Sequence, residues 1–183
     1  MIISISGEVG AGCTEVGQIV SKKLGYQCVS SADLIKKIVV DFRGVHPRES
    51  FSEFEQHVKS GEVDLDMMLD SKIDEVLETG EVVVEGRSAL MLLDNENVLK
   101  VLLVAPHDKR VQRVAERRNI TVEDAEEVVR ISDSERSNMV KKLFAREWLD
   151  PHNYDIVINT GLRVFEDSAE IILRALAYKN DAV

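Results

Sequence analysis

The segment Gly7-Glu8-Val9-Gly10-Ala11-Gly12-Cys13-Thr14 sets outer glycines at 7 and 12 and follows them with a hydroxyl residue, Thr14. That spacing is the one a chain uses to wrap phosphate with its own backbone N–H groups. Small residues are required, because such a loop enters conformations a Cβ disfavours and approaches the anion's oxygens closely; Gly10, Ala11 and Gly12 meet that need. A helix opening at Thr14 adds its N-terminal partial charge, and the Thr14 hydroxyl is placed to ligate magnesium. The alternative is an ordinary glycine-rich turn, but an apolar strand before it and a helical pattern after it favour the phosphate loop. One departure stands out. The pattern carries a lysine before Thr14, and here that position is Cys13, so the charge must come from elsewhere. No general base adjoins Cys13, which therefore reads as a small, nearly neutral filler, with a helix-activated nucleophile as the other reading.

Other residues suit the same chemistry. Arg87 follows an apolar strand at its carboxyl end, where parallel sheets present ligands, and a guanidinium fork fits a phosphate bidentately. A surface ion pair is its alternative. Glu85, ending the same strand, can hold magnesium through water or simply accept hydrogen bonds from a nearby helix or loop. Arg110, Arg113 and Arg117 recur at three- and four-residue spacing, so a helix sets them on one face. There they can neutralise charge on a phosphoryl group in flight, or be an ordinary solvated face. Asp133 and Arg136 lie one turn apart, as a functional pair or as a plain surface salt bridge. Asp33 either reads a ligand or caps the helix that starts beside it. His46, His57, His107 and His152 are scattered away from any cluster with metal-ligand spacing and are read as surface or structural residues.

These residues need a frame. Strands are expected at Ile2–Ser6, Tyr26–Ser30, Val82–Glu85, Val98–Val104 and Tyr154–Asn159. Helices are expected near Thr14–Leu24, Ala32–Asp41, Phe51–Lys59, Leu65–Glu78, Lys109–Arg118, Val122–Trp148 and Val164–Tyr178. Val16, Ile19, Val20 and Leu24 make the buried stripe of the first helix, which Gly25 ends. The nearly unbroken apolar runs Val82–Val84 and Val101–Val104 suit strands covered on both faces, hence a parallel sheet between helices. The polar stretch from about Arg117 to Trp148 has the weakest apolar pattern and is the expected flap.

Composition narrows the class. With 183 residues, 44% of them apolar, the chain can bury one core and is expected to form one domain. Its 33 acidic against 23 basic residues give a net charge of −10, which argues against a general nucleic-acid or anionic-membrane surface. Cys13 and Cys28 have neither CxxC spacing nor a histidine nearby, so no zinc site or disulfide framework is suggested and a reducing cytoplasm is expected. Neither a leader nor a membrane-spanning run is evident.

The ordered series Ile5-Ser6-Gly7, Gly10-Ala11-Gly12, Thr14, Ser30 to Lys36, Val83-Val84-Glu85-Gly86-Arg87, Leu65 to Lys72, Ala105-Pro106 with Arg110, Arg113 and Arg117, Ile120 to Ala125, Asp133-Ser134-Glu135-Arg136 and Tyr154 to Thr160 resembles the cytidylate kinases. The short archaeal type and the related cytidylate kinase-like proteins, which vary at the loop lysine, are the nearest in pattern, and the likeness runs from Met1 to about Ile172. It implies a nucleoside monophosphate kinase fold: a parallel five-stranded sheet of order 2-3-1-4-5, a monophosphate-binding segment at about 31–78 and a helical lid at about 117–148. It implies ATP and Mg2+ as cofactors, CMP or dCMP as acceptor, and a monomer. By the resemblance Ser31, Asp33, Lys36, Arg87 and Asp133 bind the acceptor, with Lys36 five residues after Ser31 where the family carries an arginine. Gly7, Gly10, Ala11, Gly12, Cys13 and Thr14 bind ATP; Thr14 and Glu85 hold the metal; Arg113, Arg117 and Arg136 serve the transfer. A silenced nucleotide-binding regulator and a kinase for another small acceptor are the rival readings.

Overall fold

Val82, Val83 and Val84 have no exposed surface, and Val101, Leu102 and Leu103 are equally enclosed. Such runs fit only strands covered on both faces. The computed structural model describes residues 1–45, 51–62 and 64–181, leaving His46 outside the described residues. In it, β1 (Ile2–Gly7), β2 (Gln27–Ser30), β3 (Val82–Glu85), β4 (Val98–Val104) and β5 (Ile156–Asn159) form one sheet in the order β2-β3-β1-β4-β5. All neighbouring pairs are parallel. The order implied by the resemblance is the observed one.

Seven helices cover it among the described residues: α1 (Cys13–Leu24), α2 (Ser31–Val45), α3 (Phe51–Ser60), α4 (Leu65–Leu77), α5 (His107–Arg118), α6 (Val122–Phe144) and α7 (Phe165–Asp181). One core joins Ile3, Ile5, Val83, Val101 and Leu103 to Val16 and Val20 of α1 and Ile172 of α7. The other joins Val82, Val84 and Val98 to Leu34 of α2 and Ile73 and Val76 of α4. Each fully buried valine of β3 is worth roughly 1.5–3 kcal/mol. That apolar run carries the charged residue at its end, Glu85, into the interior, where it is only 5% exposed.

Two boundaries moved for physical reasons. The helix expected to reach Trp148 ends at Phe144, with Ala145 in the left-handed conformation at φ 53° and its N–H on the Lys141 carbonyl. This break lets Trp148 turn inward against Leu90, Leu93 and Val140. The last strand starts at Ile156 and not Tyr154, because Tyr154 ends a single-turn helix at Pro151–Asn153 and its hydroxyl donates to the Trp148 carbonyl at 2.6 Å. The expected flap is also less polar in its packing than in its composition. Ala125 and Val129 of α6 are buried with Val9, Val111 and Val114, and Val140 is buried near the far end. No described helix is long and apolar enough to cross a membrane.

Candidate active site around the phosphate loop

β1 delivers the loop at the carboxyl edge of the sheet, between β3 and β4. Gly12, the residue before α1, sits at φ 95°, and a Cβ there would lie 2.3 Å from Cε1 of Phe165. Gly10, at φ 84°, would place a Cβ 2.6 Å from the Arg110 carbonyl oxygen. Glycine is thus required twice, by backbone conformation and by space.

The loop carbonyls are held from outside. Arg110 donates to the Val9 oxygen at 3.2 Å, Arg113 to the Gly10 oxygen at 3.2 Å and the Thr160 hydroxyl to the Ala11 oxygen at 2.7 Å. Across a trans peptide the next N–H points opposite to the carbonyl. The Ala11 N–H turns back to the Glu8 carbonyl at 2.9 Å. The N–H groups of Gly10 and Gly12 are thereby directed away from the carbonyl clamps, as an anion cradle requires.

Behind the loop lies a buried charge network. The Arg110 side chain is 6% exposed and pairs with Glu8 at 3.2 Å and Asp133 at 2.7 Å. Its Nε also donates to the Ala105 carbonyl at 3.1 Å. The second oxygen of Asp133 accepts the Val9 N–H at 3.1 Å. Asp133, expected at the acceptor, is placed with one carboxylate oxygen on the Val9 N–H of the phosphate loop and the other on Arg110 of α5. Arg113, expected at the moving phosphoryl group, donates to Gly10, to the Thr160 hydroxyl at 3.2 Å and to the Thr160 carbonyl at 3.0 Å, and lies over the Phe165 ring at 4.8 Å. These bonds make it a residue that shapes the loop. Glu8 and Thr160 stood inside recognised motifs without an assigned role and Phe165 outside them, since no spacing rule joins residues so far apart.

One cleft opens on the loop and another opens at Arg87 and α6. The first, of about 390 Å3, is lined by Gly10, Gly12, Glu15, Arg113, Glu116, Arg117 and Phe165. Arg117 is half-exposed there, 3.6 Å from Glu15. The other, of about 370 Å3, is lined by Arg87, Leu69, Glu135, Asn138, Met139, Lys142 and Leu143. Arg87 pairs with Glu135 of α6 at 3.0 Å. Gly86, at φ 79°, makes the turn that leads into Arg87. The Ser31 hydroxyl fixes the following residue by accepting the Ser88 N–H at 2.9 Å, so Ser31 supports Arg87 through the backbone.

Asp33 caps α2. Its carboxylate accepts the Ser30 N–H at 3.1 Å and the Ser30 hydroxyl at 2.7 Å, while the Ser30 hydroxyl accepts the Asp33 N–H at 3.2 Å. This is a reciprocal capping box, and the Ser30 bonds hold the Asp33 carboxyl below its usual range. Lys36 is an exposed side chain 3.7 Å from Asp33.

Thr14 and Glu85 do meet: the Thr14 hydroxyl donates to Glu85 at 3.1 Å. Burial raises the Glu85 carboxyl above its ordinary pKa, against the Thr14 hydrogen bond that lowers it. Glu85 forms no ion pair among the described residues. A hydroxyl and an uncompensated buried carboxylate are hard oxygen donors of the kind magnesium accepts, directly or through water, so the residues present fit that ion. Among the described residues no group of three or more His, Cys, Asp or Glu could hold a metal on protein side chains alone.

Cys13 is a neutral thiol. Burial first, then the Glu85 carboxylate, pushes its pKa up to about 12. Cys28 is raised for the same two reasons. Neither is in a disulfide. Iodoacetamide at pH 8 is therefore expected to leave Cys13 unmodified in the native protein and to label it after denaturation, as read by peptide mass mapping; rapid native labelling would restore the nucleophile reading.

The fold and the loop at its switch point define a P-loop kinase. Solved structures agree on the fold: shikimate kinase from Acinetobacter baumannii superposes with a TM-score of 0.60 at 19% identity, covering 97% of this chain and 93% of that one. An uncharacterized protein from Eubacterium ventriosum superposes with a TM-score of 0.71 at 18% identity, covering 97% and 98%. The sequence profile of the cytidylate kinase-like family matches residues 2–162, and the chain belongs to that family. It is 31% identical to the cytidylate kinase of Methanothermobacter thermautotrophicus over 161 residues, 88% of this chain and 96% of that protein. It is 30% identical to the cytidylate kinase of Methanobrevibacter smithii, over 96% of this chain and 98% of that protein.

Proposed function

We propose that the protein transfers the γ-phosphoryl group of MgATP to a pyrimidine nucleoside monophosphate, CMP or dCMP before UMP. The observation that carries this reading is the strand order around β1. It sets the phosphate loop between the end of β3, which bears Arg87, and the end of β4, which leads into Arg113 and Arg117. The donor cleft then opens on the loop and the acceptor cleft at Arg87. The donor's base and ribose fit the cleft beside Phe165 and Arg117; the acceptor's phosphate fits Arg87, with Leu69, Met139 and Leu143 as apolar walls for its base. Family membership and the names of the archaeal relatives support cytosine as that base.

An oxygen of the acceptor phosphate attacks the γ-phosphorus, the bond to the β–γ bridging oxygen breaks, and ADP leaves with its electron pair. The acceptor oxygen is already a competent nucleophile, so the protein supplies position and charge. Bound magnesium, held by Thr14 and by Glu85 directly or through water, would neutralise charge on the phosphate oxygens. Movement of the 117–148 segment over the clefts would exclude water that otherwise hydrolyses ATP. We read the chain as a cytoplasmic monomer that acts on free nucleotides and not on nucleic acid or membrane.

The test is ADP release from MgATP with each nucleoside monophosphate, and with shikimate as a non-nucleotide acceptor. Stimulation by CMP or dCMP is expected. Stimulation only by another acceptor would reassign the substrate, and MgATP binding without turnover on any acceptor would make the chain a nucleotide-binding regulator. Arg87→Ala is expected to lower kcat/KM for the acceptor at least tenfold, since a lost charge-assisted hydrogen bond costs about 1.5–3 kcal/mol. Unchanged acceptor kinetics in the folded variant would return Arg87 to a surface partner of Glu135.

A further inference from the structure

β5 stops at Asn159, whose side-chain oxygen accepts the Gly161 N–H at 2.9 Å and closes a tight turn through Thr160. A Cβ on Gly161 would lie 2.3 Å from Cδ of Pro106, so this turn packs directly on the start of α5. Two side chains of α5 hold its carbonyls, Lys109 that of Gly161 at 2.5 Å and Arg113 that of Thr160 at 3.0 Å. Thr160 is wholly buried, and its hydroxyl meets the phosphate loop.

That hydroxyl has one proton and two acceptors within reach, the Ala11 carbonyl at 2.7 Å and the Val104 carbonyl at 3.4 Å, and the shorter bond takes it. Its oxygen accepts Arg113 Nη1 at 3.2 Å. The rest of the loop is secured by other means: the Val9 carbonyl has a charged clamp from Arg110, and the peptide joining Gly10 to Ala11 is held at both ends, by Arg113 on its oxygen and by the Glu8 carbonyl on its N–H. The peptide joining Ala11 to Gly12 has neither safeguard. Among the described residues the Thr160 hydroxyl is the one partner of its carbonyl, and its N–H, that of Gly12, bonds to no protein group. Arg136, expected at the transferring phosphate, turns back on its own helix to the Ser132 carbonyl at 2.9 Å and hydroxyl at 2.6 Å. A peptide plane beside a glycine at φ 95° turns easily, because no Cβ resists it.

We infer that Thr160 is a positioning residue for the donor's phosphates: by fixing the Ala11 carbonyl, its hydroxyl aims the Gly12 N–H at the anion across the same planar peptide. The inference rests on the reading of the loop as the MgATP site and adds what orients one of its donors. Thr160 touches no phosphate itself. It also receives Arg113, so one buried hydroxyl sets both a wall of the cleft and a plane of the cradle. The N–H then meets charge without reorganisation of the loop, which is the advantage of a preorganised donor.

Ala11-Gly12 is the only alanine–glycine pair in the sequence, so protein isotope-labelled at alanine carbonyl carbons and glycine nitrogens gives a single carbonyl-to-amide NMR correlation, that of the Gly12 N–H. Magnesium tripolyphosphate offers the cradle its phosphates without base or sugar. It is expected to move the Gly12 proton downfield in the parent and in Thr160→Ser, which keeps the hydroxyl. In Thr160→Val, which keeps the branched shape and loses the hydroxyl, that shift is expected to disappear and calorimetric affinity for tripolyphosphate to fall at least tenfold, with Thr160→Ser within threefold of the parent. Melting temperature confirms that each variant is folded, and should Thr160→Val melt below the assay temperature, Thr160→Ala carries the same measurement. A Gly12 shift in the hydroxyl-free variant equal to the parent's, or a Thr160→Ser as impaired as that variant, would overturn the proposal and leave the loop as the donor site. A parent whose Gly12 amide does not respond to tripolyphosphate would remove the donor reading and this one together.

Discussion

Alanine at Arg110 is expected to cost about 3–5 kcal/mol of folding stability, the loss typical of removing one partner from a buried ion pair. The guanidinium meets Glu8, Asp133, the Val9 carbonyl and the Ala105 carbonyl, and its side chain is 6% exposed against 15% for Glu8 and 22% for Asp133. Alanine leaves both carboxylates enclosed without a cation and the Val9 carbonyl without its clamp. For a chain of this size the loss corresponds to a fall in Tm of roughly 10 °C. Urea unfolding measures it. Arg110→Lys should fall between, because one ammonium cannot reach all four acceptors in the fork's geometry. MgATP affinity should drop with stability, since Val9 and the turn of α6 lose their common anchor. A loss below about 1 kcal/mol would mean that water reaches the network and that it behaves as a surface pair.

The same residue shows where sequence reading stops. Arg110, Arg113 and Arg117 share a helical face, and by spacing alone they read as one set, either aimed at phosphate or solvated. The fold divides them by depth: Arg110 sinks behind the loop, Arg113 clamps its Gly10 carbonyl, and Arg117 remains at the cleft. Helical periodicity gives the direction of a side chain, while burial depends on elements that arrive from elsewhere in the chain, here Glu8 and Asp133. Asp133 illustrates the same limit. Its one-turn spacing from Arg136 is visible in the sequence, but its bond to the Val9 N–H spans 124 positions.

Local signals did better. Strand runs such as Val82–Val84 and the glycine spacing of the loop are fixed by burial and backbone sterics within a few residues, and they are found where expected. Asp33 had two readings from sequence, and the structure displays the local one, a capping box with Ser30 that needs only three residues of separation. The end of α6 was missed because Ala145 carries no mark of a helix stop. What breaks the helix there is the gain from burying Trp148 against Leu90 and Leu93, a tertiary term. Strand order came from family likeness, since apolar runs reveal which strands are central and not which lie side by side.

Glu85→Gln is expected to separate stability from activity. Glu85 is 5% exposed, carried inward at the end of β3, and its carboxyl is raised above the ordinary range mainly by burial. Below the unfolded carboxyl pKa both states are protonated and the burial penalty is absent. As pH rises the unfolded chain ionises first, so the native state loses relative stability until the folded pKa is passed. A glutamine never ionises, keeps an oxygen for the Thr14 hydroxyl and occupies nearly the same space. The variant should therefore be more stable than the parent at pH 7, with the gain shrinking as pH falls toward the unfolded carboxyl value. If Glu85 holds magnesium with Thr14, the same change should lower MgATP-dependent turnover by about a hundredfold or more, as the loss of several kcal/mol of charge stabilisation requires. Raised magnesium should recover part of it. Thermal melts across pH and a magnesium titration of ADP release decide the matter. A variant with both the parent's stability profile and the parent's turnover would make Glu85 a plain acceptor for Thr14, whereas a gain in one and a loss in the other marks a carboxylate kept in an unfavourable place for the chemistry it serves.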